Sequence, residues 1–214
     1  MWQPRNTVEQ ERFDKIQRLE ALGVELYPRR AHRTHTTSDV VTMLESAEAE
    51  RASDDDELPV MEVTVAGRIR RLNVKGKVSF MHIEDEHGRI QLFLRINNMG
   101  EDAYAMVRDK LVEVDDFVQA NGTVMRTRTG EASVQVAELT LLAKSLSPLP
   151  VVKQQTLEDG TVREYGEFSD VETRYRQRYA DLAVNRDVRD VFRKRAATLR
   201  AMRQFLDDEG MLEV

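Results

Sequence analysis

The chain has 214 residues, 41% hydrophobic and 33% charged, with a formal net charge of -6 and no cysteine. That is enough apolar material for a packed core in one or two domains, and too acidic a balance for a uniformly basic nucleic-acid coat, although local basic patches stay open because phosphates are bound by patches rather than by mean charge. The lack of cysteine removes disulfides and thiolate metal sites. No apolar run reaches the roughly 18 residues of a membrane span, and the N-terminus lacks a signal-peptide core, so a cytoplasmic chain with no membrane partner is expected.

Thr7-x-x-Gln10 has the form of a capping box, and Phe13, Ile16, Leu19 and Leu22 recur at helical spacing up to Gly23, which predicts a helix over 8–22. After Tyr27-Pro28-Arg29-Arg30, Thr37 or Ser38 is the expected cap of a short helix carrying Val40, Val41 and Leu44. Glu45 to Glu57 is acidic with almost nothing to bury and reads as a surface linker, closing an N-terminal extension over 1–58. His32 and His35 lack a third ligand in view, so no metal site is expected.

From Val60 the period becomes two: Met61, Val63, Val65 and Ile69 fall on one face, and Glu62, Thr64, Arg68 and Arg70 on the other. Strands over 78–84 and 89–95 follow, joined by the turn Asp85-Glu-His-Gly88, then a helix over 101–111, then strands over 117–128 and 132–144. Five strands with a helix between the third and fourth is the order of an OB-fold, a small Greek-key barrel that binds oligonucleotides across strands two and three; here it covers 59–145.

If Met81, Ile83, Ile90, Leu92 and Leu94 fill the barrel, alternation sends Phe80, Gln91 and Phe93 outside. A hairpin centred on Glu86-His87 then sets Phe80 opposite Phe93 with Gln91 on the diagonal. An exposed aromatic is a stacking platform for a nucleobase and a neighbouring amide can choose its edge; a cross-strand pair covered by the N-terminal helix is the alternative reading, and Phe93 is assigned mostly to packing. Arg68, Arg70, Arg71, Lys75 and Lys77 after strand one, with Arg126 and Arg128 near the turn between strands four and five, are expected to form one positive rim at one end of the barrel, suited to phosphates.

Residues 146–170 form a connector with a Glu158-Asp-Gly160 turn, and 171–214 begin a second domain. Over 187–209, Val188, Val191, Phe192, Leu199, Met202 and Leu206 form an apolar stripe that needs a partner outside this chain, with Gly210 as the stop.

The run Arg174-Tyr-Arg-Gln-Arg-Tyr-Ala-Asp-Leu182, followed by this basic amphipathic segment and Gly210-Met-Leu212, resembles the first motif of class II lysyl-tRNA synthetases of bacteria. Val65-Ala-Gly-Arg68, Gly76-Lys-x-x-Phe80, Gly88-Arg-Ile-Gln-Leu92, Thr127-x-Thr-Gly-Glu131 and Lys144-x-Leu-x-Pro-Leu-Pro150 also look like that family, and in its order. The resemblance implies an OB-fold anticodon-binding domain for tRNA-Lys, whose anticodon is uridine-rich. It implies that Phe80 stacks on an anticodon uridine, that Gln91 bonds it, that Glu131 lies near an anticodon base and that Arg68 belongs to the same site. It further implies a homodimer in the full-length ligase through the stripe of 187–209. Asn73 departs from the family, which often has Arg there, and the 151–168 connector is longer than usual.

The second and third class II motifs are not in this sequence. The resemblance therefore implies ATP and Mg only for the full-length enzyme, with no cofactor and no catalytic residue here and a missing catalytic domain as partner. Two alternatives stay open: a stand-alone single-strand-binding or regulatory OB protein, and a fragment of an aspartyl or asparaginyl synthetase.

Overall fold

The structure, a computed structural model, describes residues 3–51, 58–150, 153–156, 162–165 and 170–214. It divides into two compact units, Met1–Pro148 and Leu149–Val214.

In the first unit, α1 (Thr7–Ala21) is capped by Asn6, whose side chain accepts from the Glu9 N–H, rather than by Thr7. α2 (Thr37–Ala49) is capped by Thr36, one residue before the expected Thr37 or Ser38, in a capping box completed by Asp39. In both cases the residue just upstream offers an oxygen to the third helical N–H, which is all a cap requires. The helix also runs through part of the expected acidic linker, where Glu48 pairs with Arg126; residues 52–57 of that linker lie outside the described residues.

β1 (Glu62–Lys75), β2 (Val78–Glu84), β3 (Arg89–Arg95), β4 (Phe117–Arg126) and β5 (Ala132–Ala143) form a closed barrel in the order β1-β2-β3-β5-β4. Closure is possible because β1 is long: Glu62–Arg68 pairs with β4 while Arg68–Lys75 pairs with β2. The expected helix over 101–111 is α4 (Glu101–Arg108), three residues shorter at its C-terminal end and preceded across Gly100 by a single extra turn, α3 (Ile96–Met99). Met81, Ile83, Ile90, Leu92 and Leu94 are buried with Val63, Val65, Ile69, Val118, Val134 and Leu141 in one core, to which α1 adds Leu19, α2 adds Val40 and Leu44, and α4 adds Tyr104 and Val107.

A ring of charges joins α1 to the barrel. Arg12 donates to the carbonyls of Ser145 and Val114, Lys15 meets Glu113 at 2.6 Å, and the buried Lys144 meets Glu113 and Asp116. Higher on α1, the Arg5 guanidinium and N–H, with the Ser147 hydroxyl, hold the buried Glu9 carboxyl down to about 2 from an ordinary 4.5. A depressed carboxyl contributes stability that is present above its unfolded pKa and lost as pH falls through its folded one. Glu9→Gln is therefore expected to lower the thermal midpoint at neutral pH, with the gap to wild type closing as pH falls from about 4.5 toward 2. Melting curves across that range check it; a gap independent of pH would assign Glu9 a purely steric role.

In the second unit, β6 (Lys153–Thr156) and β7 (Val162–Tyr165) form a small antiparallel sheet; the Glu158-Asp-Gly160 turn lies outside the described residues. α5 (Val171–Arg176), α6 (Arg178–Val184) and α7 (Arg186–Asp208) follow. The arginine-tyrosine run is legible as packing around one acid. Asp181 is fully buried and accepts from Arg174 Nε at 2.9 Å, from Arg178 and from Asn185 Nδ2 at 2.6 Å, so α5, α6 and the start of α7 share one hub. Burial alone would raise Asp181, but these donors outweigh it and hold its carboxyl below the ordinary range. On α7, Val191, Phe192, Leu199, Met202, Phe205 and Leu206 are exposed; Val188 is half-buried.

Candidate nucleic-acid interface

The register of the barrel builds the site. Phe80 on β2 pairs with Phe93 on β3 and, on its other side, with Asn73 on β1; one step along, His82 pairs with Gln91 and with Arg71. Arg71, Asn73, Phe80, His82 and Gln91, with Thr129 and Glu131 from the β4–β5 turn, line an open groove of about 330 Å³. The two phenyl rings lie 5.2 Å apart, tilted by 37°, so Phe93 braces Phe80 while Phe80 faces the groove. α1 is anchored on the segments around Glu113 and Ser145.

β1 reaches this face through an irregularity. Strict alternation from the buried Ile69 would turn Arg71 and Asn73 into the barrel. The register shifts between Ile69 and Arg71, which inserts one residue, so Arg71 meets His82 and Asn73 meets Phe80 on the outside.

Gln91 is 7% exposed, not displayed on an open face as alternation suggested. Its carbonyl accepts from the Ser133 hydroxyl at 3.0 Å and its amide nitrogen donates to Glu131. Of the two donors and two acceptor sites that a free amide offers, one N–H and one carbonyl lone pair are left for a ligand. Glu131 also takes His82 Nε2 at 2.9 Å and, with its side chain 46% exposed, keeps lone pairs toward the groove. The parallel pairing of β3 with β5 sets Gln91 beside Ser133.

The expected basic rim does not form as one cluster. Arg68 lies off the groove: its guanidinium stacks over Phe117 at 4.2 Å and donates to the Asp115 carbonyl. Arg70 is the inserted bulge residue and pairs with Glu84 at 3.3 Å. Arg126 is spent on Glu48 and the Gly130 carbonyl. Strand four ends at Arg126, which leaves Arg128 exposed in the β4–β5 turn. Lys75 and Lys77 are exposed at the β1–β2 turn, beyond Val78, whereas the β4–β5 turn reaches β2 at His82. The remaining charges thus bracket the groove at two ends, with Arg71 within it.

Sequence reading singled out neither His82, Ser133 nor Tyr104. His82 shares the face of Phe80 by alternation and was legible; Ser133 required the β3–β5 pairing. Tyr104 is fully buried in α4, donates to the Gly76 carbonyl at 2.9 Å and shares a hydrogen bond with Ser79 at 2.7 Å, tying down the turn that carries Lys75 and Lys77. Among the described residues no cluster of three or more His, Cys, Asp or Glu is placed to hold a metal, and no helix is long and apolar enough to cross a membrane.

Residues 63–142 match the family model of the OB-fold nucleic acid binding domain. Across 212 residues, 98% of the chain, the sequence is 46% identical to the lysine-tRNA ligase of Roseiflexus castenholzii, covering 38% of that protein. It is 39% identical to the lysine-tRNA ligase of Azobacteroides pseudotrichonymphae over 96% of the chain and 40% of the relative. The corresponding protein of Clostridium botulinum is 37% identical over 98% of the chain and 37% of its own length. The chain thus spans less than half of the curated relatives that it matches.

Proposed function

We propose that this chain, a homologue of lysine-tRNA ligases along 98% of its length, supplies tRNA recognition to such an enzyme, and that the groove on β1–β2–β3 receives an anticodon base of tRNA-Lys. The observation that carries the reading is the juxtaposition of Phe80, a braced aromatic facing the groove, with an amide donor on Gln91 and a carboxylate acceptor on Glu131, within a segment matched by a nucleic-acid-binding family. The ring takes any base by stacking, and the polar pair selects among edges. Arg71 in the groove, and Lys75, Lys77 and Arg128 at its ends, supply cations for the flanking phosphates. Charging of tRNA-Lys with lysine is the activity proposed for the whole ligase, in a cytoplasmic setting.

The second unit fits the start of a class II catalytic domain. Its support is the helix α7, whose exposed Val191, Phe192, Leu199, Met202 and Leu206, together with half-buried Val188, offer an apolar stripe to the remainder of that domain and to a second subunit.

Titration against the tRNA-Lys anticodon stem-loop and base-substituted loops tests the reading. Phe80→Ala is expected to weaken binding by about 1 to 3 kcal/mol whichever base is present, the loss for one stacked base. Gln91→Ala is expected to cost most with the cognate uridine. Lys75→Ala or Lys77→Ala is expected to lower affinity for all loops and flatten its salt dependence. Equal binding by wild type and Phe80→Ala would remove the groove as the reading site.

A further inference from the structure

We propose that His82 is a specificity-determining positioning residue: it holds the Glu131 carboxylate in the groove, and through it the chain distinguishes uridine from cytidine. This rests on the anticodon reading above.

The ring's hydrogen bonding leaves it one role. Its Nε2 lies 2.9 Å from Glu131 Oε1, while its Nδ1 is buried with no partner among the described residues. A buried N–H without an acceptor is the rarer and costlier orphan, so the proton belongs on Nε2 and Nδ1 carries the bare lone pair. His82 then donates one hydrogen bond, to Glu131. The contact of 3.5 Å between His82 Nε2 and Gln91 Nε2 is two donors converging on one carboxylate, since Gln91 Nε2 also donates to Glu131.

Glu131 needs such a hold. It sits at the end of the β4–β5 turn, directly after Gly130 in a left-handed conformation, and its side chain is 46% exposed. The turn itself is closed by backbone bonds, Gly130 N–H to the Thr127 carbonyl at 2.8 Å and Thr127 N–H to the Glu131 carbonyl at 3.0 Å; these fix the main chain and leave the carboxylate free to swing. Two fixed donors, His82 Nε2–H on Oε1 and Gln91 Nε2–H on Oε2, pin both oxygens at once. Gln91 is itself locked by Ser133, so His82 is the second point that determines the plane of the carboxylate.

A pinned carboxylate has a definite chemical preference. For a pyrimidine held in one register by the stack on Phe80, ring nitrogen 3 is an N–H donor in uracil and a bare lone pair in cytosine. A carboxylate oxygen facing that position accepts from the first and repels the second. The remaining N–H of Gln91 serves an adjacent carbonyl. If the carboxylate is released it can swing aside, and the repulsion against cytosine goes with it.

The experiment measures the ratio of affinities for stem-loops carrying uridine or cytidine at the position whose binding depends on Phe80, using His82→Phe, which keeps a planar ring without a donor, His82→Gln, which restores an N–H, Glu131→Gln, and the double variant His82→Phe with Glu131→Gln. Loss of a hydrogen bond to a charged group is expected to reduce the uridine preference roughly tenfold in His82→Phe, chiefly by tighter binding of cytidine and weaker binding of uridine in opposite directions, while His82→Gln retains most of it. The double variant is expected to discriminate no worse than Glu131→Gln alone, because both changes act through one carboxylate. An unchanged ratio in His82→Phe, an equal loss on every loop, or a His82→Gln no better than His82→Phe would overturn the role of His82 while leaving the groove as the reading site. Binding of the stem-loops that is indifferent to Phe80→Ala would instead overturn the anticodon reading, and this inference with it.

Discussion

Lys144→Met is expected to destabilise the first unit by about 3 to 5 kcal/mol at neutral pH, the cost of removing one member of a buried ion pair. The Lys144 side chain is fully buried, with its Nζ 2.7 Å from Glu113 and 2.8 Å from Asp116, whose side chain is also fully buried. Asp116 further accepts from the N–H groups of Glu113 and Ser145. Even so, burial pushes its carboxyl above the ordinary range. Burial works on Glu113 in the same sense, but Lys144 and Lys15 outweigh it and hold that carboxyl low. Removing the ammonium leaves Asp116 as a buried charge with no counterion in contact among the described residues. The sign of the pH dependence follows. A carboxyl whose folded pKa lies above its unfolded value keeps its proton in the native state where the unfolded chain has released it, so its penalty is present at high pH and relieved as pH falls through the folded value. The gap between Lys144→Met and wild type is therefore expected to narrow on acidification, and Lys144→Met with Asp116→Asn to be more stable than Lys144→Met alone. Urea unfolding of the three proteins at pH 7 and in mild acid measures both effects; a gap constant with pH and no rescue by Asp116→Asn would mean that Lys144 acts through its aliphatic stem.

The same lysine marks the limit of reading the site from sequence. In Lys144-x-Leu-x-Pro-Leu-Pro150 it is part of a motif, and a motif lysine next to an OB-fold invites a phosphate; its partners are two acids that come from the loop before β4. What period two could reveal, it did. β2 and β3 are short, half-buried strands with a polar turn between them, so one apolar set defines the inside and the hairpin centre defines the pairing of Phe80 with Phe93. Period two failed on β1, because a bulge changes the face of every residue after it and leaves no mark in a run as basic as Arg68-Ile-Arg-Arg71. Arg71 and Asn73 gained the groove for that reason, whereas Arg68 precedes the bulge, keeps its outward face and is drawn off the groove by Phe117 and the Asp115 carbonyl. Ser133 stayed unread because its role depends on β3 lying parallel to β5, a contact between segments some 40 residues apart that no local pattern encodes; the face of His82 was legible, but its partner Glu131 comes from the equally distant β4–β5 turn.

Gly122→Ala is expected to be the most damaging single methyl in the barrel. A Cβ there would stand 2.1 Å from the Gln135 carbonyl oxygen, 2.8 Å from its carbon and 3.0 Å from the Cα of Val136. All three are backbone atoms of β5, so no side chain can rotate away; the strands must separate. The close approach arises where the β4–β5 register shifts between Asn121 and Gly122, and the absence of a side chain is what lets the two backbones meet there. Gln135 also pairs with Phe93, and Ser133, two residues earlier on the same strand, holds Gln91. Displacing this stretch of β5 therefore disturbs the core and the groove together. The cost is expected to be on the order of 4 kcal/mol, at the severe end for point substitutions and a large part of the stability of a small domain, with a thermal midpoint lower by about 10 to 20 °C. Gly130→Ala provides the contrast. Nothing lies within 4 Å of a Cβ at Gly130, so its cost is set by φ of +85° alone, about 1 to 2 kcal/mol. Calorimetry of the two variants separates steric from conformational demand: similar midpoints would mean that β4 and β5 slide to admit the methyl, and a Gly122→Ala protein that keeps its midpoint yet loses uridine preference would place the strain in the groove instead of the core.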